Sequence, residues 1–257
     1  MFRILYLTSS SDLCSVKTKT MTDILQRIKD IDWQSVTESM HQNGYAAVPN
    51  VLSDDECNTL ASGYAQTELY RKTVVMARHR FGLGEYKYFN YPLPELIQNL
   101  RTHIYPHLAP IANTWFKALN ILTSFPVEHK DFLQQCHSNA QQKATVLILK
   151  YGEGGFNTLH QDLYGDLYFP IQVVLMLSEP DQDFTGGEFV LTQQIPRAQS
   201  KAIVLKPKKG DILIFTTNFK PEKGTKGYYR VNMKHGVSEV KTGKRYALGI
   251  IFHDAEK

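Results

Sequence analysis

The chain has 257 residues, 42% hydrophobic and 21% charged, with a net charge of +4. These values fit a globular protein with a sizeable core and exclude a disordered chain. No apolar run reaches the length of a membrane span, and the apolar start Met1-Phe-Arg-Ile-Leu-Tyr-Leu is cut short by Thr8 and three serines, unlike an export signal. Cys14, Cys57 and Cys136 are odd in number and far apart, so neither a disulfide framework nor a zinc site is expected, and a reducing cytoplasm is the natural setting.

Residues 1–20 carry no periodicity and read as an unstructured leader, which makes Met21 an alternative start of translation. From Met21 to about Gln42, Ile24, Leu25, Ile28, Ile31 and Val36 recur at helical spacing. Asn43-Gly44 ends that helix, and Tyr45–Pro49 reads as a short strand. Ser53-Asp-Asp-Glu56 is a capping box that opens a helix toward Tyr70, because a serine hydroxyl and a glutamate three residues on can satisfy each other's free N–H groups. Pro94-Glu95 starts a helix through about His103, with Pro106 interrupting; His107–Leu119 resumes, and Phe132–His137 closes this half.

After Ala144 the period changes to two. Strands are expected at Thr145–Tyr151, into His160, and at Phe169–Ser178, Glu188–Thr192, Ala202–Lys206, Asp211–Thr217, Met233–Val240 and Arg245–Phe252, with a turn at Thr242-Gly243. Eight short strands make a double-sheet jelly roll. The expected fold is α+β: a double-stranded β-helix (jelly-roll, cupin-like) core over 144–257, with a mainly helical part, 21–143, packed on it as one integrated domain.

His160-Gln161-Asp162, with His235 coming 73 residues after Asp162 and Arg245 soon after, carries the chemistry. Two imidazoles and one carboxylate occupy one face of a six-coordinate metal and leave the other open, the facial arrangement of non-heme Fe(II) oxygenases. Strand alternation points His160 and Asp162 the same way and Gln161 away, and the second His must come from another strand. Arg245 brings a permanent cation with a bidentate fork, suited to a carboxylate such as that of 2-oxoglutarate. If Arg245 points inward, so do the small Ala247 and Gly249, while Tyr246, Leu248 and Ile250 face away. Tyr151 ends the strand before His160 and serves equally as a second donor to the cosubstrate or as a packing aromatic; Lys150 faces the other side. Gly186-Gly187 fits a tight strand entry. His253-Asp254 is rejected as a metal pair, because neighbours on a strand point to opposite faces; His103, His107 and His129 read as structural or exposed.

Further stretches make the chain recognisable: Met76-Ala-Arg-His79, Gly84-Glu-Tyr-Lys-Tyr-Phe89, Tyr91-Pro-Leu-Pro94, His160-Gln-Asp-Leu-Tyr-Gly165, Phe184-Thr-Gly-Gly-Glu-Phe-Val-Leu-Thr192, His235-Gly-Val-Ser238 and Leu248-Gly-Ile-Ile-Phe-His-Asp-Ala255. From about Met21 onward the chain resembles the Fe(II)/2-oxoglutarate-dependent dioxygenase superfamily, prolyl-hydroxylase-like branch. It is most similar to a bacterial oxygenase family akin to the alkylation-repair oxygenases that act on damaged nucleic acid. The resemblance implies Fe(II) on His160, Asp162 and His235, 2-oxoglutarate as cosubstrate, dioxygen, and ascorbate as an auxiliary reductant. Oxidative decarboxylation of 2-oxoglutarate would be coupled to hydroxylation of a substrate C–H bond.

Arg78, His79 and Arg80, followed by Tyr86, Lys87, Tyr88, Phe89 and Tyr91, mix cations with aromatics, which suits phosphates and an unstacked base and suits a peptide equally. Arg230 and Asn232, just before His235, are candidates for the site mouth. Between Lys206 and Arg245, eleven Lys or Arg face three acids, either a phosphate-tracking rim or a solvated surface. Nucleic-acid dealkylation is therefore set beside two alternatives, a prolyl or other protein hydroxylase and a catalytically idle jelly-roll binding module. A membrane partner is not expected.

Overall fold

The computed structural model describes residues 24–163 and 165–256. The expected leader, Met21 and Cys14 lie outside the described residues.

The N-terminal helix is two helices. The first, α1, is helical over residues 24–29, and the second, α2, spans Trp33–Asn43. Asp32 breaks them apart by accepting a hydrogen bond from the Ser35 N–H, a side-chain cap that competes with continued helix. Gly44 ends α2 in the left-handed region at φ 78°. The capping box forms as expected at Ser53 and Glu56, but its helix, α3 (Asp54–Ser62), stops well before Tyr70. Two single 3₁₀ turns follow, and Tyr70 begins a strand.

Pro106 does not interrupt the next helix. α4 runs unbroken from Glu95 to Ala118 with Pro106 and Pro110 inside it. The prolines lie one turn apart, off the buried stripe that runs from Ile97 through Ile104, Leu108 and Ile111 to Trp115. Hydrogen bonds lost to the prolines are tolerated on the outer side, while the buried side holds the helix to the core. α5 (His129–Ser138) completes the helical layer. Among the described residues no helix is long and apolar enough to cross a membrane.

All eight expected core strands form: β5 (Leu147–Tyr151), β6 (Phe156–His160), β7 (Ile171–Met176), β9 (Phe189–Gln194), β10 (Lys201–Leu205), β11 (Ile212–Thr216), β13 (Gly227–Val237) and β15 (Arg245–Ile250). They divide four and four between two sheets, β11-β7-β15-β5 and β10-β9-β13-β6, the two walls of a jelly roll. The helical half also contributes strands. β1 (Tyr45–Val48) pairs with β11; β4 (Glu85–Phe89) pairs with β5 and carries β2 (Tyr70–Val75), making the first sheet seven-stranded. β3 (Gly82–Leu83) extends the second sheet, and β12 (Phe219–Gly224) folds back on β13. The Thr242-Gly243 turn joins β14 (Val240–Gly243) to β15, yet the two do not form a hairpin. β14 pairs with β8 (Phe184–Gly186), and β15 enters the seven-stranded sheet between β5 and β7. The turn is a corner that sends the chain from a small ribbon into the main wall.

Alternation divides the core. On β7, Ile171, Val173 and Leu175 face the helices, while Val174 and Met176 face the space between the sheets. His253 and Asp254 belong to the helical side. Asp254 accepts hydrogen bonds from Arg101 (2.8 Å) and from Tyr91, and meets His137, so this pair anchors α4 and α5 rather than a metal. His129 is buried against the Phe252 carbonyl, His107 stacks on Trp33, and His103 is exposed.

Candidate active site

His160 and His235 stand directly opposite each other on antiparallel β6 and β13, with ring centroids 4.2 Å apart. Cross-strand partners bring side chains together whatever their distance in sequence. Asp162 differs from the expectation: β6 ends at His160, so the carboxylate comes from the following loop and not from strand alternation. It still turns inward, with its oxygens 3.5 Å from His160 Nε2 and 3.3 Å from His235 Nε2. Gln161 turns away and donates to the Asn218 and Met233 carbonyls, which pins the loop.

The three ligand atoms lie within 4.8 Å of one another. Adjacent donors around an ion with ~2.1 Å bonds sit roughly 3 Å apart, so one ion can touch all three. His160 Nδ1 donates to the Thr158 carbonyl at 2.7 Å, which leaves the Nε2 lone pair facing Asp162 and His235. Burial, then the neighbouring His235, lowers the His160 pKa below its ordinary value and favours the neutral ring a metal requires. The His235 ring is held by Phe215 and Phe189, and its Nδ1 has no hydrogen-bond partner among the described residues.

The second pair lies on the other sheet. Tyr151 on β5 and Arg245 on β15 are also direct cross-strand partners, 0% and 1% exposed. The Arg245 guanidinium lies 5.5 Å over the Tyr151 ring and meets the Met176 sulfur. No carboxylate lies within ion-pair distance of it among the described residues, and its Nε lacks a hydrogen-bond partner among them. Burial pushes the Tyr151 pKa up to about 12, so the hydroxyl keeps its proton and can donate. An unpaired buried cation is costly; a carboxylate entering from the cavity would satisfy it. Gly187 makes room for it. A Cβ there would come 3.0 Å from Arg245 Cδ, at a backbone φ of +63° that disfavours other residues.

Both pairs line one cavity of about 250 Å³ between the sheets. Leu149 and Gly249 line the same wall, and Lys150 points to the far side, toward Tyr64. The other candidates scatter. Tyr86 reaches the cavity, but Tyr88 is buried under Arg71 outside it. Arg78 and Arg80 are exposed on a tight turn, with Arg80 at φ 59°, and that turn presents Phe81 to the cavity. Arg230 and Asn232 are displaced from the site: both are an odd number of residues from His235 and so project from the opposite face of β13, where Arg230 covers Phe219. The basic rim is broken up as well, because Lys206, Lys220 and Lys241 pair with Asp181, Glu222 and Glu239.

Phe81 and Gln172 are cavity residues that the motifs did not single out. A lone glutamine within the apolar run Ile171–Met176 was a visible signal.

A family described as an oxygenase catalysing oxidative methylation of damaged DNA matches residues 84–255. The chain belongs to this family. The match covers the triad, Tyr151, Gln172 and Arg245. Uncharacterized proteins of two Mycobacterium tuberculosis strains, CDC 1551 and H37Rv, are 44% identical over 167 residues, 65% of this chain and 72% of theirs. Among solved structures, a Trichoplax adhaerens prolyl hydroxylase in complex with a hypoxia-inducible-factor peptide aligns with TM-score 0.52 at 14% identity, over 87% of this chain and 94% of that one. A Burkholderia pseudomallei protein of the 2OG-Fe(II) oxygenase family aligns with TM-score 0.51 at 13% identity, over 88% and 93%. These neighbours share the jelly-roll fold of the 2-oxoglutarate oxygenases, and the family's chemistry is that of an oxidoreductase.

Proposed function

We propose that the protein is an Fe(II)- and 2-oxoglutarate-dependent dioxygenase that oxidatively dealkylates damaged nucleic acid. The observation that carries this is the buried Arg245, with no carboxylate in ion-pair distance among the described residues, in the same cavity as His160, Asp162 and His235. The three ligands would hold the metal. Arg245 and the protonated Tyr151 would bind the far carboxylate of 2-oxoglutarate. Ala247 and Gly249 leave that wall bare, and the apolar lining keeps water from the reacting carbon.

When bound, ferrous iron supplies the means to split dioxygen, with one oxygen atom passing to 2-oxoglutarate to give succinate and carbon dioxide and the other inserted into a substrate C–H bond. On an N-methyl group, the hydroxymethyl product breaks its C–N bond and leaves as formaldehyde, returning a proton to nitrogen. The likeness to prolyl hydroxylases is one of fold, whereas the family match names damaged DNA; this favours nucleic acid over a peptide. A complete triad with its anchor is not what an idle binding module needs. Buried, unpaired Cys57 and Cys136 suit the reducing cytoplasm, where iron is readily kept ferrous and ascorbate can assist in vitro.

Formaldehyde release from methylated single-stranded oligonucleotides, with iron, 2-oxoglutarate and ascorbate, tests the proposal. Turnover that falls steeply with salt supports it. Hydroxylation of prolyl peptides with none on oligonucleotides would transfer the protein to the runner-up class.

A further inference from the structure

The pocket face of β7 continues from Met176 and Val174 to Gln172, which lines the cavity at 4% exposure. Its side-chain amide nitrogen has no hydrogen-bond partner among the described residues. A buried donor left open costs stability, and its persistence calls for a ligand that satisfies it.

That ligand is not 2-oxoglutarate held by Arg245. Met176 stands opposite Ala247, Val174 opposite Gly249 and Val173 opposite Ile250, so Gln172 lies beyond the far end of β15 from Arg245. At ~3.3 Å per residue the two are roughly 20 Å apart along the sheet, too far for so short a diacid to reach both. Gln172 therefore serves the substrate end of the cavity.

Charge narrows the substrate. Among the described residues lining the cavity, Asp162 is the only acid, and it belongs to the triad. A cationic alkylated base would meet no free counter-charge there. Resting on the nucleic-acid reading above, we propose that Gln172 is a specificity-determining residue that donates a hydrogen bond to a ring carbonyl beside the alkylated nitrogen. The preferred substrate is then a neutral keto base, such as thymine methylated on its ring nitrogen. The discriminating carbonyl is the one thymine has where cytosine bears its amino group: cytosine methylated at the equivalent nitrogen keeps only the other flanking carbonyl, carries a positive charge, presents an amino group to the Gln172 donor, and is disfavoured.

Gln172→Met and Gln172→Glu test this against the two methylated bases in otherwise identical single-stranded oligonucleotides. The wild type is expected to favour methylated thymine. Gln172→Met should lose at least about tenfold in kcat/KM on it, with 2-oxoglutarate half-saturation unchanged. Gln172→Glu should shift preference toward the cationic methylated cytosine. Removing the unsatisfied donor should also raise the melting temperature of Gln172→Met, by about 2–4 °C. A melting temperature that falls would make the amide a structural group, a tenfold shift in 2-oxoglutarate half-saturation would assign it to the cosubstrate, and an unchanged base preference would remove its role in specificity; each overturns the proposal. A wild type inert on both oligonucleotides overturns the nucleic-acid reading and the keto-base assignment with it. In that case a more heat-stable Gln172→Met with unaltered 2-oxoglutarate binding would mark the failure as one of substrate class, because the amide would still await a ligand.

Discussion

The two walls of the cavity solve the same problem in opposite ways. Each presents a cross-strand pair, His160 with His235 on one sheet and Tyr151 with Arg245 on the other. The metal wall is partly open: the His160 side chain is 32% exposed, and the third ligand rides on a loop. The other wall is closed, and among the described residues no carboxylate lies within ion-pair distance of its cation. Under the proposed function, the difference follows from what each wall would meet. Ligands that hold an ion must leave a side accessible to dioxygen and substrate. A cation that selects a small diacid gains from burial, since attraction grows as the local dielectric falls.

The comparison breaks most completely at the metal wall. Asp162→Ala is expected to abolish iron-dependent turnover while the apoprotein stays folded by circular dichroism, because the carboxylate sits on a loop outside the strand ladders. Turnover that survives the change would remove Asp162 from the triad. On the closed wall the loss should be graded. Arg245→Met should raise 2-oxoglutarate half-saturation about tenfold to hundredfold, with iron affinity retained. An anaerobic titration of the metal-to-ligand charge-transfer band reads both quantities, and an unmoved half-saturation would place the anchor elsewhere. The smallest effect is expected from Gly187→Ala, which crowds Arg245 Cδ and strains a positive φ. It should destabilise the fold by about 1–2 kcal/mol and weaken 2-oxoglutarate binding severalfold. Lower stability with normal cosubstrate binding would limit Gly187 to its turn.

Much of this contrast was legible before the fold. Short-range rules worked where one cause dominated: alternation marked all eight core strands, the capping box located the start of α3, and the order His160, Asp162, His235, Arg245 picked out residues that the fold brings to one cavity. They failed where a distant partner decided. Glu85–Phe89 reads as a mixture of charge and aromatic rings until β5 pairs with it. Pro106 looks like a helix break until the buried stripe of α4 holds the turn across it. Arg230 and Asn232 are close to His235 in sequence but face away once the pleat of β13 is drawn.

The sequence by itself determined the donor types, their order and the two-wall architecture, because these depend on side-chain chemistry and on periodicity along a single strand. Only the tertiary structure decided which residues share the cavity. Strand pairing set His160 against His235 and Tyr151 against Arg245, and brought in Phe81 and Gln172 from segments with no motif. It also left Arg245 with no carboxylate in ion-pair distance among the described residues. Contact across strands depends on register, and register is settled by burying both faces of the sheets at once.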